Sequence, residues 1–462
     1  MPQTPSPFDP PRSSNASAGT RLGALGIILG LTLLACWSLI LSGNRSGRGA
    51  SDDLNYHWVA IHQFAQEWPT PDLSDYASAT TPGYHLLLAP MVRAGLGHSG
   101  AQLVASVWTL ALIGVLGWVV SRAWGWASAL LMLPMIASMY VLFPGVWLLP
   151  DNAGWFFVLG VLLLALRPRF GWVSWMIAGL LLVALVWVRQ VHIWAAGVVW
   201  LSAWLGNQTQ TPHDLADFFG NLTQRLGRTI IAQGMTIPAF VALLWFLGTW
   251  NGLVPPSFQD NHQGPNPATP GFILMQLGIL SIFFVALLWP RLRMLWAHHW
   301  RWVLLVGVVG LGLGLLPISG YSYDAGRYGG WWNGIRLLPT LGQRSPVFVL
   351  GSLFGALALA CWLSLAPVRD RWIWVGTLVA FTLAQSANHT SWQRYHEPML
   401  LMMILLIFAR SEGVDRVRVR VVLGSLALSL MLAGVTVGSL WTAKPIVPER
   451  SGEPQAAQTA PE

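Results

Sequence analysis

The sequence predicts an all-α protein that crosses a membrane many times. Three observations predict it. Apolar residues fill 54% of the 462 positions and charged residues only 10%, against about 25% charged in an ordinary soluble domain. Apolar runs of roughly membrane-spanning length recur along most of the chain. The 28 tryptophans suit aromatic belts at the two membrane surfaces.

Residues 1–21 are polar and rich in Pro and Ser, and read as a disordered cytoplasmic lead. The apolar run after Arg21 reaches about residue 41. It is long for a signal-peptide core, and Ser42–Arg48 is a weak cleavage context, so it reads as an uncleaved first span. Twelve further spans are expected near 102–121, 125–143, 153–166, 172–188, 190–205, 229–248, 271–289, 302–318, 346–366, 372–386, 397–409 and 421–441. Several fall short of the roughly 20 residues that a straight span needs. The transmembrane domain is thus 22–441, and 442–462, rich in Pro, Ala and Gln, reads as a disordered extracytoplasmic tail.

Tyr84–Gly97 is apolar but short, and contains Pro90 and Arg93. It is expected to lie along the membrane surface, within a first outer loop of 42–101. Charge supports this. With that segment outside the membrane, Arg122, Arg167, Arg169, Arg225, Arg228, Arg291, Arg293, Arg301, Arg369, Arg371, Arg410, Arg416, Arg418 and Arg420 all fall on the side of the N-terminus. The positive-inside rule makes that side cytoplasmic. The net charge of +8 comes almost wholly from arginine, since Lys444 is the one lysine. In short loops between apolar runs it marks topology and contact with membrane lipids, not nucleic acid. Cys36 and Cys361 sit inside apolar runs, so no disulfide framework is expected.

This topology puts nearly every candidate for chemistry on the outer face. Ser51–Pro82 alone holds Asp52, Asp53, Glu67, Asp72 and Asp75, five of the eighteen acidic residues. Asp53 and His57 are four apart and share a helix face. A carboxylate so placed can take a proton from a hydroxyl, although Asp52 and Asp53 also suit the cap of the helix that follows. Asp151 in LLPDNAGW is a cap or a paired functional acid. Arg189, Gln190 and His192 lie between two spans in WVRQVHIW, with Arg189 either snorkelling or binding phosphate. His389, Arg394, His396 and Glu397 cluster in NHTSWQRYHEP, in a spacing that matches no standard zinc motif. The Gly- and aromatic-rich GYSYDAGRYGGWWNG suits stacking against a sugar ring, or an interfacial belt. No Walker-type loop and no GxGxxG after a strand is present, so a nucleotide donor has no obvious home.

These residues, taken in order, resemble the GT-C superfamily of membrane glycosyltransferases, and most the dolichyl-phosphate-glucose-dependent alpha-1,2-glucosyltransferases. Asp53-Leu54-Asn55-Tyr56-His57 with Gln63 is similar to that family's first-loop acidic motif. Thr80-Thr81-Pro82-Gly83-Tyr84 matches its TTxPG stretch, Phe143-Pro144-Gly145 through Asp151 its FPL segment, and Arg189 through Trp194 its RQTNIxW. Asp260-Asn261-His262 loosely resembles a later D-x-x-x-H loop. Leu54 stands where the family has a second acid, with Asp52 before it, and Val191 stands in place of its threonine. The likeness runs to about residue 275.

The resemblance implies a GT-C-like bundle of about 13 transmembrane helices with a helical first outer loop. It implies inverting transfer of a hexose, glucose favoured, from a polyprenyl-phosphate donor to a lipid-linked glycan or other hydroxyl acceptor. Asp53 is then the expected base, helped by Asp52 and His57. Arg189, Arg394, His192 and His389 would hold the donor phosphate. Asp151, Gln190, Asp260, His262 and Tyr84 would position acceptor and sugar. No metal or other cofactor is expected, because arginines can supply the positive charge. Arg-rich, Lys-poor usage points to a bacterial inner membrane with the site on its outer face. A transporter or lipid flippase explains the hydrophobicity but calls for polar groups at mid-membrane. A protein O-mannosyltransferase-like enzyme is the other alternative.

Overall fold

A computed structural model describes residues 16–207, 211–212, 214–261, 264–411, 418–444 and 446. Most of the expected N-terminal lead and C-terminal tail lies outside the described residues, as does His262. Described secondary structure is helical throughout, apart from isolated bridges at Ser46 and, twice, in the 319–345 loop.

Each apolar run becomes a helix. Ala18–Leu41 begins where the Ser17 side chain accepts a hydrogen bond from Thr20 N–H. Five helices are long and apolar enough to cross a membrane: Ala18–Leu41, His98–Trp124, Leu222–Trp250, Pro346–Leu365 and Arg418–Thr442. Two bent pairs raise this to as many as seven. Ala127–Ala137 turns 74° into Met139–Val146, and Thr269–Ile282 turns 114° into Val285–Leu315. The other expected spans appear as shorter apolar helices, such as Asp151–Ala165, Trp172–Val188 and Ala195–Leu205, so length and composition alone support fewer than thirteen crossings. The expected break between 271–289 and 302–318 is absent as a loop; Val285–Leu315 runs through it with a kink at His299.

Gly83–Arg93 is an eleven-residue helix. It rises about 16 Å, half the hydrocarbon thickness, which agrees with a non-spanning helix. Its start is fixed by the TTPG stretch. The Thr81 hydroxyl donates to Val186 O at 2.6 Å, and a Cβ on Gly83 would meet Trp187 O at 2.6 Å.

Without water between helices, small residues let backbones approach. Thr269–Ile282 and Pro346–Leu365 pack in this way, and a Cβ built on Gly355 would overlap the Leu274 carbonyl. Gly355→Val should therefore cost about 1–3 kcal/mol or more through overpacking. A lowered thermal midpoint in detergent checks this, and an unchanged midpoint would refute the packing.

Two ends of the bundle carry different chemistry. Arg369 donates to Ala165 O at 2.6 Å and to Gly206 O at 3.1 Å. Arg410 pairs with Asp370 and donates to Leu166 O. Arg225 donates to Trp204 O and Arg418 to Ala123 O. These are carbonyls at helix C-termini, which cations satisfy. Asp151 stands at the opposite end of Asp151–Ala165, about 22 Å away by helix rise.

Candidate functional site

At that opposite end lies a cavity of about 720 Å³. Five segments supply most of its polar side chains. The first is the continuous helix Arg48–Glu67, which contains a π-helical turn at Asp53–His57, a feature frequent at functional sites. It contributes Arg48, Asp52, Tyr56 and His57. The N-terminus of Asp151–Ala165 contributes Asp151. Between Trp172–Val188 and Ala195–Leu205 the chain is extended at Arg189 and then forms one 3-10 stretch, Gln190–Trp194. That break aims Arg189, Gln190 and His192 into the cavity. The loops 319–345 and 387–396 close it with Tyr323, Asp324, Tyr328, His389, Trp392, Arg394 and Tyr395.

Three guanidinium groups gather around two aromatic rings. Arg394 lies over Trp392 and Tyr395 at 4.7 and 5.1 Å, Arg48 over Trp392 at 4.5 Å, and Arg189 over Tyr395 at 5.4 Å. Arg394 Nη1 also binds Asp52 Oδ2 at 2.7 Å, and Arg189 Nη1 lies 3.1 Å from Asp151 Oδ2. Arg48 has no carboxylate partner among the described residues. Among the described residues Asp52 Oδ1 has no hydrogen-bond partner, Oδ2 alone being bonded. The site thus offers a cationic centre with one uncompensated arginine and a carboxylate oxygen beside it.

A second chamber, about 210 Å³, adjoins the first and shares Arg48, Leu149, Asp151, Tyr328, Trp392 and Arg394 with it. Its further wall is largely apolar, with Met139, Phe143, Pro144 and Leu440. Arg48 and Arg394 therefore sit where the more polar chamber meets the more apolar one.

The structure rearranges several expectations. Asp53 does not reach the cavity. It is fully buried, with Oδ1 3.0 Å from His98 Nε2 and Oδ2 accepting from Gln102 Nε2 at 2.9 Å. Successive residues on a helix point about 100° apart, so Asp52 faces Arg394 while Asp53 faces the His98–Trp124 helix. His57 is held by His85, not by Asp53. Tyr84 is buried with its hydroxyl unpartnered and lines neither chamber. Gln190 lines the cavity, but both ends of its amide are used in the scaffold. Its Oε1 accepts from Thr81 N, and its Nε2 donates to Ala79 O and Leu253 O. Asp260 lies on the 3-10 stretch Pro256–Asn261, and its side chain is outside what the structure describes. His396 binds Gln276 and Glu397 binds Ser138 and Gln393, all away from His389, which meets Asp324 O at 2.8 Å. Among the described residues no three His, Cys, Asp or Glu side chains form a group that could hold a metal ion.

Sequence reasoning missed Arg48, Trp392 and Tyr395, whereas Tyr328 belongs to the aromatic loop that it had marked for sugar stacking. Arg48 was legible: it stands four residues before Asp52, on the same helix face. Trp392 and Tyr395 were not, since aromatic residues are common throughout this chain.

Burial keeps His57 neutral. It pushes His57 down to about 3, with Arg394 and Arg189 adding to the effect. Its folded value lies below the ordinary value of about 6.5, so the unfolded chain binds more protons as the pH falls. Its contribution to stability is full above about pH 6.5 and is lost as pH falls toward 3. Each unit of pH in that window costs up to about 1.4 kcal/mol. Thermal midpoints in detergent should therefore fall between pH 7 and pH 5, and His57→Gln should flatten the slope. A midpoint insensitive to pH over that range would contradict the buried neutral state.

No protein-family model matches the chain, and no curated protein matches it. Among solved structures, the chain is similar to the crystal structure of ArnT from Cupriavidus metallidurans in the apo state. The TM-score is 0.37 at 15% identity, over 90% of this chain and 78% of that one. A likeness of that size carries no weight for fold or chemistry, which rest on the helices and the cavity themselves.

Proposed function

We propose that this chain is a GT-C-type membrane glycosyltransferase. It transfers a sugar, with glucose the favoured hexose, from a polyprenyl-phosphate donor to a hydroxyl acceptor such as a lipid-linked glycan. The carrying observation is the cluster of three arginines: Arg48 and Arg394 stand where the larger, more polar chamber meets the smaller, more apolar one, and Arg189 stands beside them in the larger. A lipid-phosphate sugar has that same division. Its phosphate sits between an apolar chain and a polar ring. Arginine stays charged and pairs with phosphate oxygens in a fixed fork. Three arginines at the leaving phosphate stabilise the charge that develops there.

In this reading the smaller chamber takes the first part of the lipid chain. The larger takes sugar and acceptor, with Tyr56, Tyr323 and Tyr328 as ring faces. Asp52, not the enclosed Asp53, removes the acceptor proton through its unpartnered Oδ1. Asp151 orients Arg189, and His192 and His389 line the chamber beside them. The proposed place is a bacterial inner membrane, with the cavity on the outer face and the arginine-capped helix ends inside. The reaction proposed here uses no metal.

A transporter is the rival reading. The polar groups of the cavity collect at one end of the helices, whereas a transport path places its binding site near mid-membrane. The deciding experiment is transfer from synthetic polyprenyl-phosphate-glucose, and in parallel from the mannose donor, by purified protein with and without EDTA. Transfer or donor hydrolysis supports the proposal and names the sugar. No turnover of either donor by folded protein favours the transporter.

A further inference from the structure

Behind the cavity wall, the rings of His57 and His85 lie nearly parallel, 14° apart, edge to edge with centroids 5.2 Å apart. Nδ1 of His57 lies 2.9 Å from Nε2 of His85. Both rings are neutral, so each carries one N–H, and one proton lies between them. Two arrangements satisfy this. In the first, His57 Nδ1–H donates to His85 Nε2, and both rings carry their proton on Nδ1. In the second, His85 Nε2–H donates to His57 Nδ1, and both carry it on Nε2.

The outer nitrogens decide between them. His85 is fully buried, and its Nδ1 has no partner. Its surroundings are the rings of Phe64, Tyr76 and Tyr84. The first arrangement leaves an N–H donor orphaned there, and the second leaves a lone pair. Orphaned buried donors are the rarer of the two. At the other end, His57 lines the cavity, and its Nε2 is neither bonded nor among the sealed polar atoms.

We infer that His85 is a positioning residue: it donates Nε2–H to His57 Nδ1, and so presents His57 Nε2–H to the cavity as a fixed neutral donor for an anionic phosphate oxygen. The hydrogen bond on one ring nitrogen sets what the other can do. The ligand rests on the lipid-phosphate reading; the tautomer does not. Burial, and then Arg394 and Arg189, lower the proton affinity of His57, so the ring works as a donor and not as the base.

The test is solid-state NMR of the full chain in lipid, labelled with 15N-histidine, at pH 7. Subtracting the His57→Gln spectrum isolates the pair; His85→Gln does so if the first variant does not fold. Two neutral rings protonated on Nε2 are expected. Rings protonated on Nδ1, or an imidazolium, overturn the inference. Adding polyprenyl phosphate should then shift the His57 Nε2 signal. With the expected tautomer, no shift in an active transferase overturns the assigned ligand. No shift in a protein that also lacks transfer counts against the lipid-phosphate reading and leaves the tautomer standing. In the active enzyme, His57→Phe should lower kcat by about 100-fold, the scale of losing one oxyanion donor. His57→Gln, which restores an N–H, should recover most of that loss, and equal loss in both variants contradicts a donor role.

Discussion

Asp52→Asn should abolish most transfer, while Asp53→Asn should leave most of it. A positioned general base contributes about 10²- to 10⁴-fold, and kcat of the Asp52 variant should fall within that range. The two carboxylates are adjacent in sequence but belong to different environments. Asp52 lines the cavity with Oδ1 unpartnered. Asp53 has both oxygens engaged by His98 and Gln102, and no exposed surface. Asp53 itself is fully buried and its two oxygens satisfy His98 and Gln102, so the cost of the change should appear in stability. A buried hydrogen-bonding group left without its partner costs about 1–3 kcal/mol. The measurements are kcat with the lipid-phosphate donor and the thermal midpoint of each variant. An inactive Asp53→Asn with an unchanged midpoint, beside an active Asp52→Asn, would reverse the assignment.

Arg48→Gln is expected to produce the second large loss, about 10²- to 10³-fold in kcat, the scale for removing one preorganised group from a developing negative charge. Arg48 is the informative arginine because no carboxylate depends on it. Removing Arg394 or Arg189 would also strand Asp52 or Asp151, so activity and folding would fall together. Arg48 instead lies over Trp392 and Tyr328, at 4.5 and 5.5 Å, and its removal should leave the thermal midpoint within about 0.5 kcal/mol of wild type on the scale of ordinary surface changes. Arg48→Lys should recover only part of the loss, because an ammonium neither stacks as a guanidinium plane nor pairs with two phosphate oxygens at once. Full activity in Arg48→Gln would remove this residue from the phosphate site.

The shift from Asp53 to Asp52 shows where reading the chain stops. A four-residue spacing correctly placed Asp53 and His57 on a helix. Spacing carries no information about which face of that helix packs against His98–Trp124 and which stays open. The same holds for Gln190. Its place between two apolar runs marked it as a cavity residue, and it does line the cavity. Its amide, however, binds Thr81, Ala79 and Leu253, contacts that span up to 111 positions and leave no trace in local pattern.

By itself the sequence determined the all-helical architecture, the positions of most helices and the segregation of arginine-rich turns from acidic loops. Those are local properties: an apolar run must bury its surface and satisfy its backbone internally, and a helix is the form that does both. It also pointed to one face as the place of the polar side chains; of those it named, Asp52, His57, Asp151, Arg189, His192, His389 and Arg394 line one cavity, while Asp53 and His396 do not. Tertiary structure alone decided which of them open on the cavity and which are sealed. It paired Asp52 with Arg394 across 342 positions, left Arg48 uncompensated, and put His85 behind His57. Those outcomes depend on the side chain that meets each group from another helix. In a low-dielectric interior that neighbour determines whether a charge is engaged, exposed or neutral.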